Sequence, residues 1–193
     1  MKDANWRKFT PLLIYTAVAL CLGLGAAGHG LSQSKILMLL VSGVFSWSLI
    51  EYGLHRFIFH YDAHSRLGRK LLYQVHLSHH ENPTATNRIF ASLFLSLPLA
   101  VAYWLIAWII TASWASSSYL FIGMSAGYFV YEWLHFQCHH GQSHLRVLRY
   151  LRKYHLLHHY KTPELRFGVT SPLFDVLFGT FRRAERTPAR LDY

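Results

Sequence analysis

Tyr128-Phe-Val-Tyr131-Glu132-Trp-Leu-His135-Phe-Gln-Cys-His139-His140 carries an apolar run straight into a group of histidines, and that junction decides how the chain reads. Residues 114–131 carry no charge at all, so the histidines stand at the end of a candidate membrane span. The pattern recurs outward from there: His55-Arg-Phe-Ile-Phe-His60, His76-Leu-Ser-His79-His80 and His155-Leu-Leu-His158-His159 each border a hydrophobic stretch. These four clusters hold eleven of the fourteen histidines. Imidazole is the commonest metal ligand and binds in its neutral form. Residues three and four apart share a helical face, so His-x-x-His-His is expected to aim three imidazoles at one point. His135 and His139 add an i, i+4 pair, which is complete without His140. The chain therefore reads as a membrane scaffold holding a metal site.

Composition agrees with that frame. The 193 residues suit one domain, taken as 1–193. Hydrophobic residues make up 52% and charged ones 15%, too apolar a balance for a soluble domain of this size. Six Trp and twelve Tyr suit a chain whose rings sit at membrane interfaces. The net charge of +10 could point to nucleic acid, but the basic residues form no patch of the kind that binding needs. Cys21 and Cys138 are the only cysteines and make no C-x-x-C, which argues against a disulfide framework, an iron–sulfur cluster and a thiol redox motif.

The expected fold is all-α: a four-span helical bundle with a cytoplasmic helical cap that carries a dimetal site. The spans fall at about 11–28, 36–52, 89–112 and 114–134, with Pro98 a kink candidate in the third. The second run is short, about 15 apolar residues against the ~20 a span needs. The first follows a basic start and could be a secretory signal, but its length and the lack of a small-x-small cleavage site favour a retained helix. With four spans, 18 of the 19 Lys and Arg fall on one side and only Lys35 on the other, which makes that side cytoplasmic. Both termini and all four clusters share it. The membrane would be the inner membrane of a bacterium or the endoplasmic reticulum of a eukaryote.

The number of histidines sorts the metal chemistries. His29, His64 and His144 stand alone and read as snorkelling or capping residues. A bis-imidazole haem protein, here a membrane electron carrier, uses single histidines within spans. Transporters place ligands near mid-membrane, and structural zinc needs four ligands. Two metals sharing the clustered histidines would each receive about five, leaving room for oxygen or substrate. His55 and His60, five apart, lie about 140° and ~7.5 Å from each other on a regular helix. They serve different metals, or they mark a local distortion.

The four motifs, with Tyr154 and Tyr160 flanking the last, resemble the fatty acid hydroxylase superfamily of membrane di-iron enzymes. The stretch Lys153-Tyr154-His155 to Tyr160-Lys161, then Phe167-Gly168-Val169-Thr170-Ser171, is most similar to the fatty acyl or ceramide 2-hydroxylase branch. The chain departs from that branch at Leu77-Ser78, where Gly is usual, and no b-type cytochrome domain precedes the first span. The resemblance implies O₂-dependent hydroxylation of a C–H bond beside an acyl carbonyl, with two iron ions, for which zinc can substitute in purified samples. It also implies a separate electron donor, a ferredoxin or a b-type cytochrome with its reductase. The rival within enzymes is a sterol, hopanoid or carotenoid oxygenase or desaturase using the same metal site. The implied ligands are His55, His60, His76, His79, His80, His135, His139, His140, His155, His158 and His159, with His140 secondary.

Neutral ligands leave about +4 of charge on two divalent ions, so carboxylates are expected close by, holding His N–H groups. Glu51 stands four before His55 and Glu132 three before His135, each on its histidine's face; the resemblance adds Asp175. Gly123-Met-Ser-Ala-Gly127 reads as close helix packing, and Cys138 as a packed thiol. The strip Arg146, Arg149, Arg152 and Lys153 reads as meeting anionic headgroups.

Overall fold

Pro11 lies in the first turn of α1 (Thr10–Ala27), where its missing N–H costs nothing. Ser32 caps α2 (Gln33–Gly53), its hydroxyl accepting from the Lys35 amide at 3.3 Å. The computed structural model describes residues 10–184 and contains no strand among them. Lys2, Arg7, Lys8, Arg186, Pro188 and Arg190, used above for topology and tail, lie outside the described residues.

α2 does not stop at Glu51. It runs on as a π-turn over Leu54–Phe59, and together they make an apolar helix of 27 residues. The second span is therefore longer at both ends than its apolar run. Ser32 starts it early, and Glu51 stays inside because backbone amides, rather than water, take its charge. Two short helices follow, α3 (Arg66–Leu72) and α4 (Ser78–Glu81), joined by a second π-turn at Tyr73–Leu77. Asn82-Pro83 ends α4, as Pro disfavours helix at the residue before it. α5 (Leu93–Thr111) continues through Pro98 and begins four residues later than its apolar run. α6 (Trp114–His140), α7 (Arg146–Tyr160) and the short α8 (Leu173–Leu177) complete the helices of the described residues.

Among the described residues, three helices are long and apolar enough to cross a membrane: α1, α2 with its π-turn, and α5. α6 is equally long but lies among them and packs against all three. Its position explains its composition, because a helix surrounded by protein can carry small and polar residues. Ser117 and Ser118, both buried, turn their hydroxyls back to the Trp114 carbonyl at 2.8 and 2.7 Å. Gly123 and Gly43 lie where α6 meets α2. A Cβ on Gly123 would strike the Leu40 carbonyl, and one on Gly127 would come within 2.7 Å of Trp47 Cβ. These glycines let two backbones touch. Leucines on the outer faces of α1 and α2, such as Leu24 at 79% exposed, have no protein partner to cover them, which is the expected state of a lipid-facing surface.

Candidate metal centre

The histidines converge where α2, α4, α6 and α7 end. Their ligating atoms form two groups of five, each able to hold a metal ion: His55, His60, His76, His80 and His158, and His79, His135, His139, His155 and His159. Within each group the candidate ligand atoms all lie within 4.8 Å of one another. The expectation of three imidazoles aimed at one point from each His-x-x-His-His needs correcting. Each motif splits. His76 and His80 enter the first group while His79 crosses to the second; His155 and His159 enter the second while His158 crosses to the first. Neighbouring residues on a helix point about 100° apart, so the i, i+4 pair converges and the residue between looks elsewhere.

Each group is thus two pairs and one crossing histidine. His135 and His139 supply an ordinary i, i+4 pair to the second. His55 and His60 supply the matching pair to the first, although they stand five apart. The π-turn makes this possible, closing with the His60 amide on the His55 carbonyl at 3.3 Å. The local distortion expected from the spacing is present, and the expectation that the two serve different metals is corrected.

Metal chemistry fits these contacts better than hydrogen bonding does. His76 Nε2 lies 3.1 Å from His55 Nε2 and 2.9 Å from His80 Nε2. His79 Nε2 lies 2.9 Å from His135 Nε2 and 3.1 Å from His139 Nε2. His155 Nε2 lies 2.9 Å from His139 Nε2 and 3.0 Å from His159 Nε2. One ring nitrogen, with one lone pair or one proton, cannot serve two such neighbours. Ligands at ~2.05 Å from an ion and at right angles are about 2.9 Å apart, which is this spacing. Five nitrogens so close leave no room for a porphyrin, so the haem carrier is not supported. The groups are adjacent, with His80 of the first stacked on His159 of the second at 4.1 Å. Burial, then the neighbouring imidazoles, pushes His79 and His80 down to about 3, and His76, His155 and His158 well below the usual imidazole range. All therefore stay neutral at physiological pH, with lone pairs free for a metal.

Around the first group, two backbone carbonyls set the ring orientation. His55 Nδ1 donates to the Phe167 carbonyl at 2.5 Å and His158 Nδ1 to the Leu165 carbonyl at 2.7 Å. This turns each Nε2 lone pair inward. Glu51 and Asp175 hold that loop. Glu51 accepts from the amides of Val169 and Thr170 at 2.5 and 2.9 Å and from the Thr170 hydroxyl at 2.6 Å. Asp175 accepts from the amides of Phe167 and Gly168 at 2.8 and 2.9 Å and from the Thr180 hydroxyl at 2.7 Å. A Cβ on Gly168 would strike the Ser171 carbonyl and lie 2.9 Å from Asp175 Oδ2, so the loop needs glycine there. Its turn also holds Arg166 in the left-handed region at φ 64°.

The expected direct carboxylate–imidazole contacts are therefore corrected. Glu51 and Asp175 act through the loop. Glu132 accepts from the Ala91 amide at 3.0 Å and holds the segment ahead of α5, not His135. In the second group the Nδ1 atoms of His79, His135, His155 and His159 are buried and meet no acceptor among the described residues. His140 joins neither group; its ring stacks on Phe136 at 4.8 Å. His29, His64 and His144 also lie outside both groups, His29 stacking against Trp114 at 5.5 Å. Cys138 packs with Leu134 and Leu151. The stretch 167–171 stood out in the sequence only by resemblance, and the role of the loop at 165–171 in orienting His55 and His158 is what the reading of residues missed. Its two carbonyl acceptors are backbone atoms, which no side-chain motif announces.

A mostly apolar pocket reaches the histidines from the span side. Tyr15, Trp47, Leu99 and Met124 line it from four helices, and His55, His76, His79 and His135 line it from both groups.

A chain of this pattern matches the family model described as fatty acid hydroxylase over residues 40–180. The chain belongs to the fatty acid hydroxylase family. It is 34% identical over 170 residues to a dihydroceramide fatty acyl 2-hydroxylase of Arabidopsis thaliana, covering 88% of this chain and 71% of that one. It is 37% identical over 175 residues to a ceramide very long chain fatty acid hydroxylase of Saccharomyces cerevisiae, covering 88% of this chain and 44% of that one. A solved structure of full-length scs7p, with only its hydroxylase domain visible, superposes with a TM-score of 0.84 at 31% identity, covering 95% of this chain and 69% of the other.

Proposed function

We propose that the protein hydroxylates a lipid acyl chain at its 2-position, with one iron ion held by each group of five histidines. The observation that carries this reading is the cavity: a mostly apolar pocket among candidate membrane helices whose wall includes histidines of both groups. Family membership and the named 2-hydroxylase relatives support the same reaction. The balanced reaction is R–CH₂–CO–X + O₂ + 2 e⁻ + 2 H⁺ → R–CHOH–CO–X + H₂O. The electrons come from a separate donor, a ferredoxin or a b-type cytochrome with its reductase.

When bound, the two irons supply O₂ activation. The chain's own residues do the rest. His55 and His158 are fixed by the Phe167 and Leu165 carbonyls, so their Nε2 atoms face inward without rearrangement. Burial keeps the crossing histidines neutral. The apolar wall of the cavity suits an acyl tail, which enters between spans while the headgroup remains at the basic rim. α6 acts as a fourth span, with both termini and the metal centre on the cytoplasmic face; the Lys and Arg distribution supports this orientation.

Lipid mass spectrometry of a host with and without the gene tests the reading. The expected result is a new lipid species +16 Da heavier, with the hydroxyl at position 2 of an acyl chain. A modified sterol or carotenoid, or a loss of two hydrogens in place of an oxygen gained, would contradict it.

A further inference from the structure

We propose that Arg88 holds the carbonyl oxygen of the acyl substrate at the cavity wall and so fixes which carbon faces the metal centre. This inference rests on the acyl 2-hydroxylation reading. Arg88 lines the same cavity as His55, His76, His79 and His135, and it is the one Lys or Arg among the lining residues. The segment that carries it is held in place. The Arg88 amide donates to the Ala85 carbonyl at 2.9 Å, Ile89 beside it is buried, and the Ala91 amide is taken by Glu132 at 3.0 Å. Nη1 donates to the Ser78 carbonyl at 2.9 Å, which anchors the guanidinium next to the residue that precedes His79. That bond uses one of five N–H donors, and the side chain is still exposed.

The chemistry gives such a donor a purpose. Methylenes along an acyl chain are nearly alike, and apolar packing separates substrates differing by one methylene only about 10- to 200-fold. The carbonyl is the fixed landmark, and position 2 is the carbon bonded to it. A guanidinium stays charged at every working pH and makes short, directional bonds to such an oxygen. Anchored to the Ser78 carbonyl on a wall that also carries histidines of both groups, it would measure the reaction from the carbonyl end of the chain. An N-acyl amide and a free fatty carboxylate present the same oxygen, and the test separates them.

Full-length wild type, Arg88→Gln and Arg88→Lys are expressed in a host that makes no 2-hydroxy lipids. Amide-linked and free fatty acids are recovered separately, the hydroxyl position is read by fragmentation, and metal per chain is measured on purified protein. Arg88→Gln is expected to lower 2-hydroxy product about 10- to 100-fold and to move part of the remainder to other carbons, with the metal count unchanged. Arg88→Lys should keep position 2 at reduced yield. Loss confined to one pool assigns the carbonyl to that pool's chemistry. Wild-type yield and position from Arg88→Gln would overturn the inference. So would loss of metal from both variants, which would make Arg88 a support for the Ser78 turn. If wild type makes no 2-hydroxy lipid, it is the functional reading that fails, and the inference falls with it.

Discussion

The two histidine groups have the same plan and different support. Each takes two pairs and one crossing histidine. The first is tied to the rest of the fold: two of its rings donate to loop carbonyls, and that loop hangs on Glu51 and Asp175. The second is fully buried and rests on α6, α7 and the end of α4, with four Nδ1 atoms that meet no acceptor among the described residues. One group of histidines is oriented by tertiary hydrogen bonds and the other by helix periodicity and packing. The lesson is that equal ligand sets do not make equal sites, so variants should strike them separately.

The largest effects belong to the crossing histidines. His158→Ala should remove metal from the first group and His79→Ala from the second, each leaving turnover at background; elemental analysis and product assay check both. If His158→Ala empties the second group, the partition is wrong. Next come the loop anchors. Glu51→Gln and Asp175→Asn should weaken metal retention by the first group about 10- to 100-fold while sparing the second, as loss of such support usually does. Gly168→Ala should follow them, because the Cβ would strike the Ser171 carbonyl and crowd Asp175, disturbing the loop that carries the Phe167 carbonyl.

Acid should then act on metal-free protein. The folded-state values of His79 and His80 are depressed from 6.5 to about 3, so the unfolded chain binds protons more readily. Their contribution to stability is whole above about pH 6.5 and falls away toward pH 3. Thermal unfolding between pH 7 and pH 5 should show the metal-free form losing stability first, with metal moving the loss to lower pH. Identical pH curves with and without metal would argue against these histidines as ligands. Glu132→Ala should cost about 1–3 kcal/mol of stability by leaving the Ala91 amide unpaired, with both metals retained. His140→Ala should do least, since its ring only stacks on Phe136.

The same contrast explains what could be read from the residues. The second group follows regular helix spacing, so His135 with His139 and His155 with His159 are visible as pairs in the chain itself. In the first group, the pairing of His55 with His60 requires a π-turn, which a five-residue spacing can hint at but cannot distinguish from two separate sites. The carboxylates were found as residues and misplaced as contacts. Spacing puts Glu51 and Glu132 on histidine-bearing faces, but their bonds go to amides at 169–170 and 91, brought near only by the fold. The apolar runs located the helices well, while their ends shifted wherever a Ser cap or a buried carboxylate altered the boundary.

Each group of histidines is expected to hold one metal ion. The direct test is the number of metal ions bound per purified wild-type chain, with the absorption spectrum recorded on the same sample. About two ions and no haem band are expected, and zinc counts equally with iron, since imidazole accepts either. A count near one, or a strong Soret band, would contradict the account.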